Sequence, residues 1–347
     1  MRMTEVELKT QLRSRSICVV IPTYNNDKTI KTVVEKTLCY CTDVIVVADG
    51  CTDNTLKILR GIPQITIISY PKNKGKGYAL KAGFKAALTK GFSYAITLDG
   101  DGQHYPEDIQ LFLRANQQYP HSLIIGSRQL EGVERSSGSK FANHFSNFWF
   151  YIQTGRALKD TQTGYRLYPL KRLHGLSLLT SRYEAELELL VFASWHGVKL
   201  VSIPIKVYYP PRTERVSHFR PGIDFARISL LNTILCFLAV VYGLPLRLGR
   251  LFMQVIRTVY SLLFFLFFTL VVFTPFVWIY TRLGKMTDKK RYRLHLLIYH
   301  ASRFVMIHHG IPGTKFQYKI AKGIDFNQPS IIICNHQSHL DLMCQLV

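Results

Sequence analysis

The sequence predicts an α/β fold with a mostly parallel sheet flanked by helices, followed by hydrophobic membrane helices and a truncated second α/β domain. Apolar runs alternate with segments of helical periodicity from residue 17 to about residue 100. This alternation is typical of parallel sheets, whose ligands bind at the carboxyl ends of the strands. Two later segments, 228–246 and 258–281, contain no charged residue and reach membrane-spanning length.

The first strand is expected at 17–23, an apolar run that ends around Pro22. A helix follows it, with Asn26 or Asp27 as the candidate N-cap. Its apolar residues recur at helical spacing: Ile30, Val33, Val34 and Leu38. The pattern continues with strands at 44–48, 65–69, 94–98, 123–128 and 201–207, and with helices around 76–90 and after Tyr183.

Two carboxylates stand two residues apart where a short apolar strand ends. In an extended chain Asp99 and Asp101 point to the same side, so both can reach one hard divalent cation. Gly100 and Gly102 let the backbone approach a ligand, and Gln103 offers a further oxygen. Mg2+ takes substrate phosphates as additional ligands, which suits a nucleoside-diphosphate donor. The alternatives are a Ca2+ loop, although the EF-hand spacing fails, and an acidic turn without a ligand.

Polar residues at three strand ends should lie near one another. Pro22 to Tyr24, Asp49 and Asp99 each follow a predicted parallel strand, and the carboxyl ends of such strands share one edge of the sheet. We expect this edge to bind a ligand, although Tyr24 also fits the role of a packed turn aromatic.

A glycine-rich turn precedes the helix predicted around 76–90. Backbone N–H groups at a helix start suit a phosphate, and Lys76 would provide a counter-charge. The P-loop spacing is absent, and a solvated basic turn explains the same letters. Farther along, Arg128 ends another predicted strand, and its planar guanidinium matches the oxygens of an acceptor phosphate.

The segment Asp99-Gly-Asp-Gly-Gln-His-Tyr-Pro106 resembles the Asp-x-Asp-x-Gln-His-x-Pro signature of family 2 glycosyltransferases, especially the dolichyl-phosphate-mannose-synthase-like branch. Further similar segments extend from Ile17 to about Arg227. The resemblance implies a GT-A fold and the inverting transfer of a sugar from a nucleotide donor with Mg2+ or Mn2+. It also implies that the metal is bound by Asp99, Asp101 and Gln103.

By the same resemblance, Pro22, Tyr24, Asp49, Lys76 and Asp99 bind the nucleotide sugar. Many relatives have an acid in place of Ala48 and of Asn26, so the choice between UDP and GDP stays open.

The resemblance assigns the acceptor phosphate to Arg128 and to a second cation downstream, for which Arg135 and Lys140 are the candidates. The segment Asp160-Thr-Gln-Thr-Gly-Tyr-Arg166 resembles a family segment beside the acceptor. There Asp160 would position a hydroxyl or orient Arg166, whereas the alternative is a structural turn.

The charge distribution favours a membrane over nucleic acid. The net charge is +22, and the residues after 225 carry 14 Lys or Arg against 3 Asp or Glu beside the most apolar segments. Such flanking attracts acidic lipids, and no nucleic-acid-binding motif is found. The seven cysteines include no C-x-x-C pair, which indicates a reduced set.

The tail resembles a different family. An apolar strand is expected at 330–334, and Asn335-His336 with Asp341 resembles the catalytic block of glycerolipid acyltransferases. There His336 would act as the base and Asp341 would orient it, with acyl-CoA or an acyl carrier protein as donor. A zinc site through His336 and His339 is a second interpretation. The sequence stops six residues after Asp341, which predicts a truncated domain.

We therefore expect a glycosyltransferase domain at 1–227, membrane-associated helices at 228–282 and an acyltransferase-like segment at 283–347. The expected function is transfer of a sugar from a UDP- or GDP-sugar to a lipid-linked acceptor, polyprenyl phosphate being favoured. The enzyme would lie at the inner (plasma) membrane with its catalytic domain on the cytoplasmic side. The alternatives are a bifunctional glycosyltransferase and acyltransferase, and a non-catalytic sugar-nucleotide-binding membrane protein.

Overall fold

A seven-stranded mixed sheet forms the centre of the fold. The computed structural model of the protein describes residues 4–129, 137–176, 178–208 and 221–309. The strands are β1 (Ile17–Thr23), β2 (Val44–Asp49), β3 (Thr66–Tyr70), β4 (Tyr94–Thr97), β5 (Leu123–Arg128), β6 (Arg166–Pro169) and β7 (Leu200–Ile205). Their order in the sheet is β3-β2-β1-β4-β6-β5-β7.

The strands β1, β2, β3 and β4 pair in parallel, as the alternation of apolar runs predicts. Every residue of β1 and β2 is buried, and each buried Val or Ile side chain contributes about 1.5–3 kcal/mol. The exception is β6, which is antiparallel to both β4 and β5. The sequence did not predict β6, because four residues are too few to show a period.

Helices cover both faces of the sheet. Those of the first part of the chain are α1 (Glu5–Ser14), α2 (Ile30–Tyr40), α3 (Thr55–Arg60), α4 (Lys76–Thr89), α5 (Ile109–Gln118), α6 (Ser137–Thr154), α7 (Leu170–Leu173) and α8 (Glu184–Trp195). Apolar residues of α1, α2 and α5 form one core cluster with the sheet. Those of α4, α6 and α8 form a second cluster. The predicted strands and helices up to β5 are thus present within a few residues of their expected bounds.

The N-cap of α2 is Thr29, not Asn26 or Asp27 as the sequence predicted. Helix α2 begins at Ile30, and its N-cap Thr29 makes no side-chain cap bond. The Asn26 side chain instead donates to the Thr23 hydroxyl at 3.0 Å, and the backbone N–H of Asp27 donates to Asp53 at 3.1 Å. The bond from Asp27 to Asp53 connects the loops that follow β1 and β2 at this end of the sheet.

From Pro221 to Arg282 the chain is helical throughout. This stretch contains α9 (Pro221–Leu238), a π-helical turn (Ala239–Gly243), α10 (Leu244–Phe267), a second π-helical turn (Phe268–Phe273) and α11 (Thr274–Arg282). Within it, Asp224–Arg282 is long and apolar enough, by length and composition, to cross a membrane. A final helix, α12, covers Asp288–His309. Residues 247–257, expected to link two apolar segments, are part of α10.

The chain divides into two compact units, Met1–Arg247 and Leu248–Val347. The first unit extends beyond the boundary expected at residue 227, because Leu231 and Leu235 of α9 are buried in the second core cluster. The predicted residues Arg135, His336 and Asp341 and the predicted strand at 330–334 lie outside the described residues. Lys140 belongs to α6, and its side chain is not among those described.

Candidate functional site

The carboxyl ends of four strands lie at one edge of the sheet. Strands β1, β2 and β4 are parallel, and β5 has the same direction as β4 because both are antiparallel to the intervening β6. This edge therefore receives Thr23, Asp49 and Arg128 at the ends of their strands. Asp99 follows β4 by two residues. The sequence-predicted convergence of these residues is consistent with this topology.

Asp49 is buried and holds the glycine-rich turn before α4. One of its oxygens accepts the backbone N–H of Lys74 at 2.7 Å, and the other accepts that of Gly75 at 2.8 Å. The second oxygen also accepts the Asn73 side-chain amide at 3.1 Å. Gly50 makes this approach possible, because a Cβ at that position would overlap the backbone nitrogen of Asn73. Asp49 thus fixes the loop predicted to bind phosphate.

Lys76, the first residue of α4, lies between two carboxylates. Its Nζ is 2.8 Å from Asp99 Oδ1 and 2.9 Å from Glu186 Oε2. Burial disfavours the charge, but the ion pairs with Asp99 and Glu186 outweigh it and raise the pKa of Lys76 above its ordinary value. A permanent ammonium group therefore lies beside the paired aspartates.

Asp99 stays ionised because of this neighbour. Burial would raise the pKa of Asp99, but the charge of Lys76 holds it below its usual range. His104 Nε2 lies 3.9 Å from the other Asp99 oxygen. Burial lowers the pKa of His104 to about 4, so the ring is neutral at pH 7 and the contact is not an ion pair.

The environment of Asp101 raises its pKa, whereas that of Asp99 lowers it. Burial, together with the nearby negative charge of Asp99, raises the pKa of Asp101 to about 6. One of its oxygens accepts the backbone N–H of Gln103 at 3.0 Å, which closes the turn. The carbonyl of Gln103 accepts the N–H of Tyr208 at 2.8 Å. The turn is thus fixed by its own backbone and by the segment after β7.

Gly164 brings the loop before β6 into close contact with Asp99 and Lys76. A Cβ at Gly164 would overlap Asp99 Oδ2 and would lie 2.7 Å from Lys76 Nζ. The Thr97 hydroxyl donates to the Gly164 carbonyl at 2.5 Å. The Asp160 to Arg166 segment therefore contacts the predicted metal site directly, which its sequence resemblance alone did not reveal.

Arg128 and Asp160 form a two-point ion pair. Arg128 Nε donates to Asp160 Oδ2 at 2.6 Å, and Nη2 donates to Oδ1 at 2.9 Å. Asp160 is 1% exposed and also accepts the backbone N–H of Gln162 at 3.1 Å. The charges of Arg128 and Asp160 both act on the pKa of His104, as does that of Asp99. Asp160 thus orients Arg128, whereas the sequence suggested Arg166 as its partner.

Arg166 has a different role, which sequence reasoning missed. It is fully buried and donates to the backbone carbonyls of Glu186 at 2.9 Å and Thr161 at 2.7 Å. The first bond fixes the start of α8, where Glu186 meets Lys76, and the second fixes the loop before β6. The acid-rich first turn of α8 was the sequence signal for Glu186, because carboxylates at a helix start are stabilised by the helix dipole.

The first strand end is shaped by its own polar contacts. Pro22 is buried inside β1, and Tyr24 is half-buried just after it. Asn25 has φ of +50° and accepts the backbone N–H of Thr52 at 2.8 Å. The loops after β1 and β2 are therefore joined, and Tyr24 lies on this joined edge.

The residues present fit a divalent-cation site in which the protein supplies only some of the ligands. Among the residues that the structure describes, no group of three or more His, Cys, Asp or Glu side chains could hold a metal. Asp99 and Asp101 nevertheless place two carboxylates close enough that one raises the pKa of the other. A cation here would relieve that repulsion and take its remaining ligands from elsewhere, such as the Gln103 amide and a diphosphate.

Comparisons with known proteins agree with this geometry. The model of glycosyl transferase family 2 matches residues 18–169. A UDP-N-acetylglucosamine–dolichyl-phosphate N-acetylglucosaminyltransferase of Methanococcus voltae is 30% identical over 220 residues, covering 57% of this chain and 88% of that protein. The polyprenol monophosphomannose synthase of Mycolicibacterium smegmatis is 31% identical over 204 residues, covering 54% and 75%. The chain belongs to glycosyl transferase family 2.

Solved structures show the same fold. A glucosyl-3-phosphoglycerate synthase of Mycobacterium tuberculosis, solved with Mn2+ and UDP-glucose, is 19% identical with a TM-score of 0.50, covering 68% of this chain and 83% of that one. The chain thus has a GT-A-like α/β fold with a mixed sheet, as expected. The comparisons lend no support to an acyltransferase domain, so that expectation stays a prediction.

The contact of Glu186 with Lys76 predicts a loss of stability in Glu186→Gln. The amide keeps the shape but removes a charge-assisted hydrogen bond, which should cost about 1–3 kcal/mol. Urea unfolding of the detergent-solubilised protein, followed by tryptophan fluorescence, measures the change. The matched control is Glu35→Gln, whose exposed pair with Lys31 spans 4.0 Å and should contribute less than about 0.5 kcal/mol. Equal losses in the two variants would contradict the assignment.

The raised pKa of Asp101 predicts a pH-dependent gain of stability in Asp101→Asn without divalent cations. The folded pKa of about 6 exceeds the ordinary 3.8, so the folded protein binds the proton more tightly and loses stability as the pH rises between these values. The asparagine variant avoids this loss. Its advantage should grow from pH 4 to pH 6 and then level off at up to about 3 kcal/mol. Urea unfolding in a chelator across this range measures it, and a pH-independent difference would count against the shift.

Proposed function

We propose that this chain transfers one sugar from a UDP- or GDP-sugar to a polyprenyl phosphate, with inversion at the anomeric carbon. The observation that carries the proposal is the position of Lys76, which lies between Asp99 and Glu186 at the edge where four strand ends meet. A diphosphate leaving group requires positive charge and N–H donors at such a place. The N–H groups of Lys74 and Gly75 donate to Asp49 and so fix the turn before α4, and the start of this helix favours a phosphate through its dipole.

The reaction proceeds by in-line attack of an acceptor oxygen on the anomeric carbon. As the bond to the diphosphate breaks, Lys76 and the helix start stabilise the growing negative charge. A divalent cation, Mg2+ or Mn2+, would be held by Asp99, Asp101 and the Gln103 amide, and it supplies further neutralisation of the diphosphate when bound. Solved structures of the M. tuberculosis synthase contain Mn2+ with UDP-glucose, which supports such a cofactor in this fold.

The hydrogen bonds of Asp160 favour a phosphate over a hydroxyl group as the acceptor. A hydroxyl acceptor needs a general base, but both oxygens of Asp160 accept hydrogen bonds from Arg128, and the residue is 1% exposed. A phosphate oxygen is already anionic and needs no base. The name of the M. voltae relative contains dolichyl phosphate, and that of the M. smegmatis relative contains polyprenol monophosphomannose; both names favour the same acceptor class. Arg128, oriented by Asp160, is assigned to the acceptor phosphate.

A membrane location follows from the acceptor and from the apolar helical run at Asp224–Arg282. Polyprenyl phosphates reside in bilayers, so the catalytic unit has to work at a bilayer surface. We assign it to the cytoplasmic side of the inner membrane, where nucleotide sugars are available.

The proposal is tested by incubating the purified protein in detergent with UDP- and GDP-sugars, Mn2+ and polyprenyl phosphate, followed by mass spectrometry of the lipid products. Asp101→Ala should lower transfer by at least about 100-fold, because it removes charge stabilisation of the leaving group. The matched control is Asp288→Ala, an exposed acid of α12, which should keep full activity. Near-normal nucleotide release from Asp101→Ala would overturn the assignment of this carboxylate.

Gly164→Ala should lower the rate of transfer while leaving the fold intact. The added methyl group overlaps Asp99 and crowds Lys76, and a displacement of about 1 Å at a reacting centre can cost about 100-fold in rate. The matched control is Gly249→Ala, because a Cβ at Gly249 would meet nothing within 4 Å. Unchanged kcat in Gly164→Ala would show that the loop before β6 does not position the pair.

A further inference from the structure

A cavity of about 440 Å³ lies between α4, α8 and the chain that follows α7. Small-molecule sites in proteins measure about 300–1,000 Å³ and are lined mostly by apolar side chains. The apolar wall of this cavity consists of Leu80, Phe84 and Leu88 of α4, Leu176 and Leu178 of the chain after α7, and Leu189 of α8. Its size therefore suits a small molecule, and its wall suits an alkyl chain.

Polar contacts hold the outer wall of the cavity, which is the chain that follows α7. Glu188 of α8 is 0% exposed, and its Oε2 accepts the backbone N–H of Thr180 at 2.9 Å and the Thr180 hydroxyl at 2.5 Å. Its other oxygen accepts the N–H of Leu179. Lys81 Nζ donates to the carbonyls of Leu178 and Thr180 at 3.3 Å each. The protein's own contacts therefore build this wall without the help of a ligand.

The residues that line the cavity include basic side chains and no acid. Lys81, Lys85 and His174 line it, and all three are exposed. Residues 71–98 and 168–182, which include every lining residue outside α8, contain no Asp or Glu. Among the described residues Lys81 contacts two carbonyls, so the third of its three N–H donors can meet an anion. An exposed positive rim therefore lies beside the apolar wall.

The cavity is separate from the candidate active site, although the two share α4 and α8. None of the described residues that line it belongs to the proposed metal or acceptor sites. Gly77 and Ala185 do line it, and each is adjacent in the chain to a member of the Lys76–Glu186 ion pair. A Cβ at Gly77 would overlap the Ala185 side chain, so α4 and α8 touch at this end of the cavity. A ligand bound between these helices is therefore next to the two helix starts that the ion pair joins.

We propose that this cavity binds an anionic single-chain amphiphile, with its alkyl chain against the apolar wall and its carboxylate or phosphate group at Lys81 and Lys85. An apolar wall beside an exposed positive rim requires a ligand that carries both kinds of group. An ammonium group forms short, charge-assisted hydrogen bonds with either anion. A cationic head group would meet like charge at this rim, because residues 71–98 and 168–182 contain no acid. The bound chain contacts both helices and stabilises their contact by mass action.

The test uses the full chain in phosphatidylcholine nanodiscs and two photoreactive probes, dodecanoic acid and dodecyl phosphate, each with a diazirine near the end of its alkyl chain. After irradiation and proteolysis, mass spectrometry should locate adducts within 77–89 or 173–189, and an excess of the same amphiphile without the diazirine should remove them. The probe that labels these peptides at the lower concentration identifies the anion as a carboxylate or a phosphate. The same alkyl chain with a trimethylammonium head group is the charge control and should not label these peptides.

Two variants separate the positive rim from the apolar wall. Lys85→Glu should lower this labelling about 10-fold, because it replaces a cation at the rim with a charge that repels the ligand. The matched control is Lys36→Glu, at an exposed lysine of α2, which should be labelled like the unaltered protein. Leu176→Trp fills part of the cavity with a larger apolar side chain and should prevent labelling. Circular dichroism of all three variants checks that a loss of labelling does not come from unfolding.

Adducts confined to the apolar helical run at Asp224–Arg282 would overturn the proposal, because they would show that the probes enter the bilayer only. Equal labelling of Lys85→Glu and Lys36→Glu, or equal labelling by the trimethylammonium probe, would overturn it as well. Benzoylphenylalanine at position 88 tests the other occupants. A crosslink from there to another segment of the chain or to a second copy would identify that segment as the occupant and contradict the proposal. None of these readouts needs sugar transfer, so they stand even if the proposed function fails.

Discussion

The ion pairs of Lys76 with Asp99 and Glu186 are the interaction on which the rest of the site depends. They join three separate parts of the chain: the start of α4, the turn after β4 and the first turn of α8. The three side chains are 9–23% exposed, and a largely buried charge is tolerated only when a partner of opposite sign accompanies it. The glycines at 75, 77 and 164 allow these parts to approach, since a Cβ at any of them would collide with a neighbouring segment.

The unequal environments of the two neighbouring aspartates follow from this arrangement. Lys76 contacts Asp99 and keeps it ionised, whereas Asp101 is left with burial and a negative neighbour. A carboxylate in that state gains most from a cation. The site is therefore asymmetric before any ligand binds, with one acid tied to the protein and the other prepared for a ligand.

Much of the fold could be predicted from the sequence because β1, β2 and β4 are continuous buried runs and their polar ends mark one edge. The strand β6 could not, since four residues show no period and its antiparallel direction is set by pairing with β4 and β5. Single residues such as Asp49, Lys76 and Asp99 were found from local patterns. Their partners were not, because Glu186 and Gly164 are distant in sequence and meet the site only after the chain has folded. The same limit applies to Asp160, whose partner proved to be Arg128.

The bonds of Asp49 have a consequence for any exchange of this acid. Its two oxygens accept the N–H groups of Lys74 and Gly75 and the side-chain amide of Asn73, so they hold the turn that leads into α4. A substitution at Asp49 would release this turn and, with it, the position of Lys76 at the helix start. A loss of activity in such a variant would therefore reflect the altered turn as well as any direct contact with a ligand.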